Sequence, residues 1–144
     1  MQTYFVLKFV HVIGAAVLLG TGAGIAFFML LAHRTGRAEV VAAVARMVVI
    51  ADVLFTASAV VVQPITGTLL AWSVGYSLWD GWIAASILLY LVTGAFWLPV
   101  VWMQMRMRDL ATEAVREGRA LPQEYHRLFG LWFAFGFPAF ASVL

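Results

Sequence analysis

Apolar residues run almost unbroken through four stretches of the chain, and polar residues gather in short clusters between them. The runs cover residues about 4–32, 40–72, 82–108 and 125–144. A helix rises about 1.5 Å per residue, so roughly 20 apolar residues cross the ~30 Å hydrocarbon core of a bilayer. The first three runs exceed that length and the fourth barely reaches it. The pattern predicts an all-α, polytopic membrane protein: one domain over residues 1–144, with four transmembrane helices in an antiparallel bundle.

The breaks carry ordinary stop signals. His33, Arg34, Thr35, Gly36 and Arg37 close the first helix, and the turn from Ser73 to Gly81 separates the second from the third. Trp79 and Trp82 suit the membrane interface beside that turn. After the third apolar run, Arg106, Arg108, Asp109, Glu113, Arg116, Glu117 and Arg119 alternate in sign. This is the signature of a solvated helical extension, which Gly118 and Pro122 should end. Pro64 interrupts the second run, where a neighbouring helix would have to satisfy the carbonyl it frees. The fourth run stops without a polar flank, so a few further residues are expected after Leu144.

Composition agrees with the pattern: hydrophobic residues make up 64% of the chain and charged residues 11%, against about 25% charged in soluble domains. Cysteine is absent, which excludes disulfides and thiolate metal sites. The net charge of +2 is small, and the basic residues flank apolar runs, where they report topology. Nucleic acid is therefore excluded as a partner. The first apolar run is too long, and its start too poor in basic residues, for a cleaved signal peptide. Arg34, Arg37 and Arg46 flank the first break, and five arginines from Arg106 to Arg127 flank the third. By the positive-inside rule both basic loops are cytoplasmic, both termini face outward, and the expected location is a bacterial inner membrane.

Polar residues inside the runs are few and periodic. Tyr4, Lys8, His11, Ala15, Leu18 and Gly22 share a face of the first helix. Asp52, Thr56, Ala59, Gln63, Thr66 and Leu70 share one on the second, and Ser86, Tyr90, Thr93, Trp97 and Gln104 one on the third. Such stripes are costly against lipid and should face one another. Counting helical rise, His11 lies about 10 Å below Tyr4, Gln63 about 13 Å below Trp72 and Tyr90 about 12 Å below Trp82. The candidate outer layer is therefore His11, Gln63 and Tyr90, with Lys8, Thr66 and Ser86 just above. A candidate inner layer holds Asp52, Thr56, Trp97 and Gln104.

Each feature also has a plainer reading. Lys8 can snorkel to the interface, and Asp52 can pair toward Arg46, about 9 Å away along the helix. Gln63, Thr66 and Thr93 can act as interhelical hydrogen-bond glue, and Ala16, Gly20 and Gly24 as a close-packing face. His33 and His126 fall at the cytoplasmic boundary, where solvation is expected. His11 is the hardest to read as structure alone, because it follows a lysine by three residues within a span.

Tyr4, Lys8, His11 and the glycines after them resemble the first helix of an uncharacterised bacterial family of four-helix integral membrane proteins. The resemblance extends over nearly the whole chain through three further pieces. They are Gln63-Pro64-Ile65-Thr66-Gly67, the run Trp97-Leu98-Pro99-Val100-Val101-Trp102-Met103-Gln104, and the segment from Trp132 to Pro138. More distantly, Lys8, His11 and His33 resemble the first helix of the membrane protoporphyrinogen oxidase of haem synthesis, and more loosely copper-resistance membrane proteins. That resemblance implies a haem or porphyrin role for His11. The oxidase's third helix carries a lysine and a histidine where this chain has Ala84, Ala85, Ser86, Tyr90 and Thr93.

Three functions stay open at this point. One is a structural or accessory subunit that meets lipid and either a second copy or another membrane protein, with no cofactor. Another is a b-type haem protein with His11 as the axial ligand to iron and Lys8, Gln63 and Tyr90 around the ring. The third is a proton or small-solute pathway through Lys8, His11, Gln63 and Asp52.

Overall fold

The computed structural model of the chain describes residues 2–144. Helix α1 spans Gln2–Arg34. Helix α2, Ala38–Ala51, continues through a π-helical turn at Asp52–Thr56 into α3, Ala57–Ser73. Helix α4 spans Gly81–Arg116 and α5 Gln123–Ala141. The chain thus makes four helical rods, and α1, the α2–α3 rod and α4 are each long and apolar enough to cross a membrane.

Several boundaries differ from the sequence pattern. Past the apolar run that ends near 108, α4 continues to Arg116 as the charged extension its alternating signs predict, with the charges solvated and Met107, Leu110, Ala111 and Ala114 buried on one face. Helix α2 begins at Ala38, ahead of the expected 40, and α5 covers Gln123–Ala141 rather than 125–144. At Gly118, with φ of 63°, the Arg119 N–H bonds back to the Ala114 carbonyl and the Gly118 N–H to Val115. This left-handed cap stops the long helix where a side chain with a Cβ would be strained.

Packing is uneven along the bundle axis. Helix α1 lies against α2, the π turn and α3, while α4 lies against α2 and α5. The continuous core sits toward the basic loops and includes Met29, Val41, Met107 and Tyr125. Alanines there, among them Ala32, Ala45, Ala111 and Ala114, let helix backbones approach closely. Toward the outer ends, α1 buries nothing before Ile25, and α4 buries only Ile83 before Val100. There α1 stays packed against α3, while α4 stands apart from α3 and reaches it through Tyr90.

The outer surface carries Phe5, Phe9, Phe27, Leu98, Trp102 and Phe137, all more than half exposed, which is the proper exterior for a chain whose solvent is lipid. Gly20 and Gly24 have nothing near the position of a Cβ, and Ala16 is exposed. The stripe expected to pack closely therefore lies on the free face of α1.

Candidate functional site

In the outer layer α1 and α3 clasp each other through two reciprocal notches. Gln63 Nε2 donates to the His11 carbonyl at 2.8 Å, reaching over Gly14, where a Cβ would stand 2.3 Å from that nitrogen. In return the His11 ring lies over Gly67, with its Cε1 3.2 Å from where a Cβ would be. A glycine on each helix thus admits the polar side chain of the other.

Thr66 holds the His11 ring through one of its two nitrogens. Its hydroxyl lies 2.8 Å from His11 Nδ1 and 2.8 Å from the Val62 carbonyl, and where it donates to that carbonyl it accepts from an Nδ1–H. Nε2 has no hydrogen-bond partner among the described residues. Thr66 itself is buried, so the ring is held by a fixed group.

Tyr90 joins this half of the bundle at a different point. Its hydroxyl donates to the Val60 carbonyl at 2.6 Å, the group left free because Pro64, four residues on, has no N–H. Lys8 is exposed on α1 and makes no hydrogen bond or ion pair among the described residues. Ser86 is also exposed, with its hydroxyl turned back to the Trp82 carbonyl. The structure therefore brings His11, Gln63 and Thr66 together, sets Tyr90 against the same helix by another route, and leaves Lys8 outside.

The inner layer assembles around Asp52, which is 3% exposed. Trp97 Nε1 donates to Asp52 Oδ1 at 3.4 Å. With the Gln104 amide turned so that its nitrogen faces the acid, Nε2 donates to Asp52 Oδ2 at 3.2 Å while Oε1 accepts from Trp132 Nε1 at 3.2 Å. The opposite orientation would set oxygen against oxygen and N–H against N–H. The Thr56 hydroxyl, buried four residues beyond Asp52, has no partner of its own. Asp52 takes part in no ion pair among the described residues, so pairing toward Arg46 is not what holds it.

The π turn carries Asp52 and Thr56, and the N–H of Ala57 bonds to the Asp52 carbonyl five residues back. Ser58 Oγ contacts the Leu54 and Phe55 carbonyls in the same stretch, at 2.7 and 3.0 Å. Such a turn is a recurrent companion of functional sites. Neither this irregularity nor the contribution of Trp132 was visible in the spacing of polar residues. The only trace of Trp132 is its three-residue step from Phe129 on the buried face of α5.

A third cluster lies at the basic end. His33 is not simply solvated. Its ring stacks on Phe129 with centroids 3.7 Å apart, and its Nδ1 lies 3.3 Å from the Tyr125 hydroxyl. His126 stands beside it, centroids 5.6 Å apart, but is itself exposed. No group of three or more His, Cys, Asp or Glu able to hold a metal occurs among the described residues. Burial at the water-side start of α5 pushes the Tyr125 phenol up to about 12, so it meets His33 as a neutral hydroxyl. Nearby, Arg106 forks onto Glu124 through two bonds of 2.8 and 3.1 Å, joining α4 to α5.

The chain belongs to the family described as Predicted integral membrane protein (DUF2269), which matches residues 5–144. No curated protein and no solved structure matches it.

Proposed function

Starting from membership in that family, we propose that the chain is a non-catalytic accessory subunit of a bacterial inner-membrane assembly. The observation that carries this reading is where its intramembrane polar groups go. Gln63, His11, Thr66 and Tyr90 tie α1, α3 and α4 together, Thr93 meets Ser142 at 2.7 Å, and Gln104 links Asp52 to Trp132. Polar side chains used in this way act as interhelical glue. The loosely packed outer ends of α1 and α4 then leave apolar surface for a membrane partner or a second copy. The test is crosslinking in native membranes with photoreactive residues placed on those outer ends. A protein adduct of fixed stoichiometry supports the subunit reading, and adducts with lipid alone overturn it.

A second reading rests on His11. With Nδ1 held by Thr66, Nε2 is the free nitrogen, and metal-bound histidines characteristically have the other ring nitrogen held in this way. His11 would then be the residue that holds the iron of a b-type haem, with Gln63 and Tyr90 nearby and Lys8 left outside the cluster. The bound haem would supply electron transfer. The distant likeness to the haem-synthesis oxidase favours the same residue. Absorption spectra of the purified protein, oxidised and reduced, decide between the readings. A Soret band lost in His11→Ala establishes haem, and protein that stays colourless after haem is supplied removes it.

A further inference from the structure

The acid buried in the π turn is surrounded in a way that a purely structural hydrogen-bond acceptor would not need. Trp97 offers Asp52 an indole N–H, and Gln104 an amide N–H. Both can only donate in this arrangement, because the Gln104 oxygen is taken by Trp132. They suit an ionised carboxylate. A carboxylic acid needs an acceptor as well, and one is present: the Thr56 hydroxyl, 7% exposed, with no hydrogen-bond partner. A buried hydroxyl without a partner costs about 1–3 kcal/mol, so its retention beside the acid calls for an explanation.

We propose that Asp52 and Thr56 form a reversible proton-binding site within the membrane, with the proton as its ligand. In the ionised state the carboxylate accepts from Trp97 and Gln104, and the Thr56 hydroxyl stands unpaired beside it. When a proton binds, it forms the carboxylic O–H, which donates to Thr56 Oγ1. The threonine hydrogen turns toward a backbone carbonyl of the preceding turn, as threonine hydroxyls in helices commonly do. Proton and charge balance with no further reactant, and Gln104 keeps its bond to Trp132 throughout. A rotation of the Thr56 side chain, which has no bond to give up, is the movement that separates the two states.

The ionisable groups of the neighbouring spans that the polar stripes bring into question are bound elsewhere or exposed. On α1, His11 is held by Thr66 and His33 by Tyr125 of α5, while Lys8 is exposed. Arg46 on α2 is exposed, and Arg106 on α4 is paired with Glu124. Tyr90 of α4 is bound to the Val60 carbonyl of α3. The site is separate from His11 and stands or falls independently of the subunit and haem readings.

Infrared pH titration of the full-length protein in lipid tests the site. Wild type should gain a carboxylic C=O stretch as pH falls and lose it as pH rises, with that band missing in Asp52→Asn. In Thr56→Val the band should move to higher frequency as the O–H loses its acceptor. A wild-type spectrum identical to that of Asp52→Asn, or an Asp52 band constant at every pH, overturns the proposal. An unshifted band in Thr56→Val overturns the role of Thr56. If Asp52→Asn does not fold, wild type grown with carbon-13-labelled aspartate gives the same decision. A reversible, isotope-shifted band from a buried acid supports the site, and its absence overturns it.

Discussion

The Tyr90 hydroxyl donates to the Val60 carbonyl at 2.6 Å, and that carbonyl is the one Pro64 cannot serve, having no N–H. A break in one helix is thereby closed by a side chain of another, so a local backbone defect becomes an interhelical bond between α3 and α4. Apolar surroundings offer the carbonyl no water in exchange.

Tyr90→Phe should destabilise the bundle by about 1 kcal/mol, the scale of such bonds in membranes. In a Pro64→Ala background the backbone N–H is restored and the same substitution should cost much less. A double-mutant cycle, read as unfolding in mixed detergent, measures the coupling. Equal costs in the two backgrounds would show that Tyr90 is not serving the freed carbonyl.

Gly14→Ala places a Cβ 2.3 Å from Gln63 Nε2. The amide can swing away, so the expected loss is the hydrogen bond to His11, about 0.5–1.5 kcal/mol, partly offset by the better helix propensity of alanine. Gly20→Ala and Gly24→Ala, facing open space, should lose nothing. In Gln63→Ala the penalty of Gly14→Ala should vanish, and thermal unfolding of the single and double variants checks the order.

Stability should fall as pH rises from 10.0 toward about 12 because of Tyr125, whose phenol moves upward between those values on folding. In that window the unfolded chain releases the proton that the folded chain keeps, so folding is favoured below it and weakened through it. Tyr125→Phe should flatten this part of the pH–stability curve while costing some stability near neutrality through loss of the His33 contact. An unchanged alkaline slope in the variant would assign the effect to other groups.

The absence of native cysteine makes single-cysteine labelling a clean test of topology. Thr35→Cys and Ala120→Cys, both at exposed positions of the basic loops, should react with an impermeant maleimide only after the membrane is opened. Trp79→Cys, at a position that is 89% exposed, should react from outside in intact cells. The reverse pattern would invert the orientation derived from arginine placement.

The spacing of polar residues was enough to place His11 with Gln63 and to set Asp52, Thr56, Trp97 and Gln104 at one depth, because helical periodicity fixes faces and the rise per residue fixes level. It could not exclude Lys8, which lies a short arc round α1 from His11. That difference in angle becomes a difference between inside and outside only once the neighbouring helices are in position. Nor could it reveal Gly14 and Gly67 as notches. A glycine's use depends on which side chain arrives from another helix, and Gly20 and Gly24, equally plain in sequence, meet none.

What the sequence determined by itself was a membrane-spanning, all-helical chain, since run length against bilayer thickness and the scarcity of charge leave few alternatives. It also marked the helix stop at Gly118, which depends on local backbone chemistry. The tertiary structure decided the rest. It stacked His33 on Phe129, brought Trp132 to Gln104, and opened the backbone into a π turn at Asp52. These depend on contacts between residues far apart in the chain, where packing and hydrogen-bond pairing in an apolar solvent outweigh local preference.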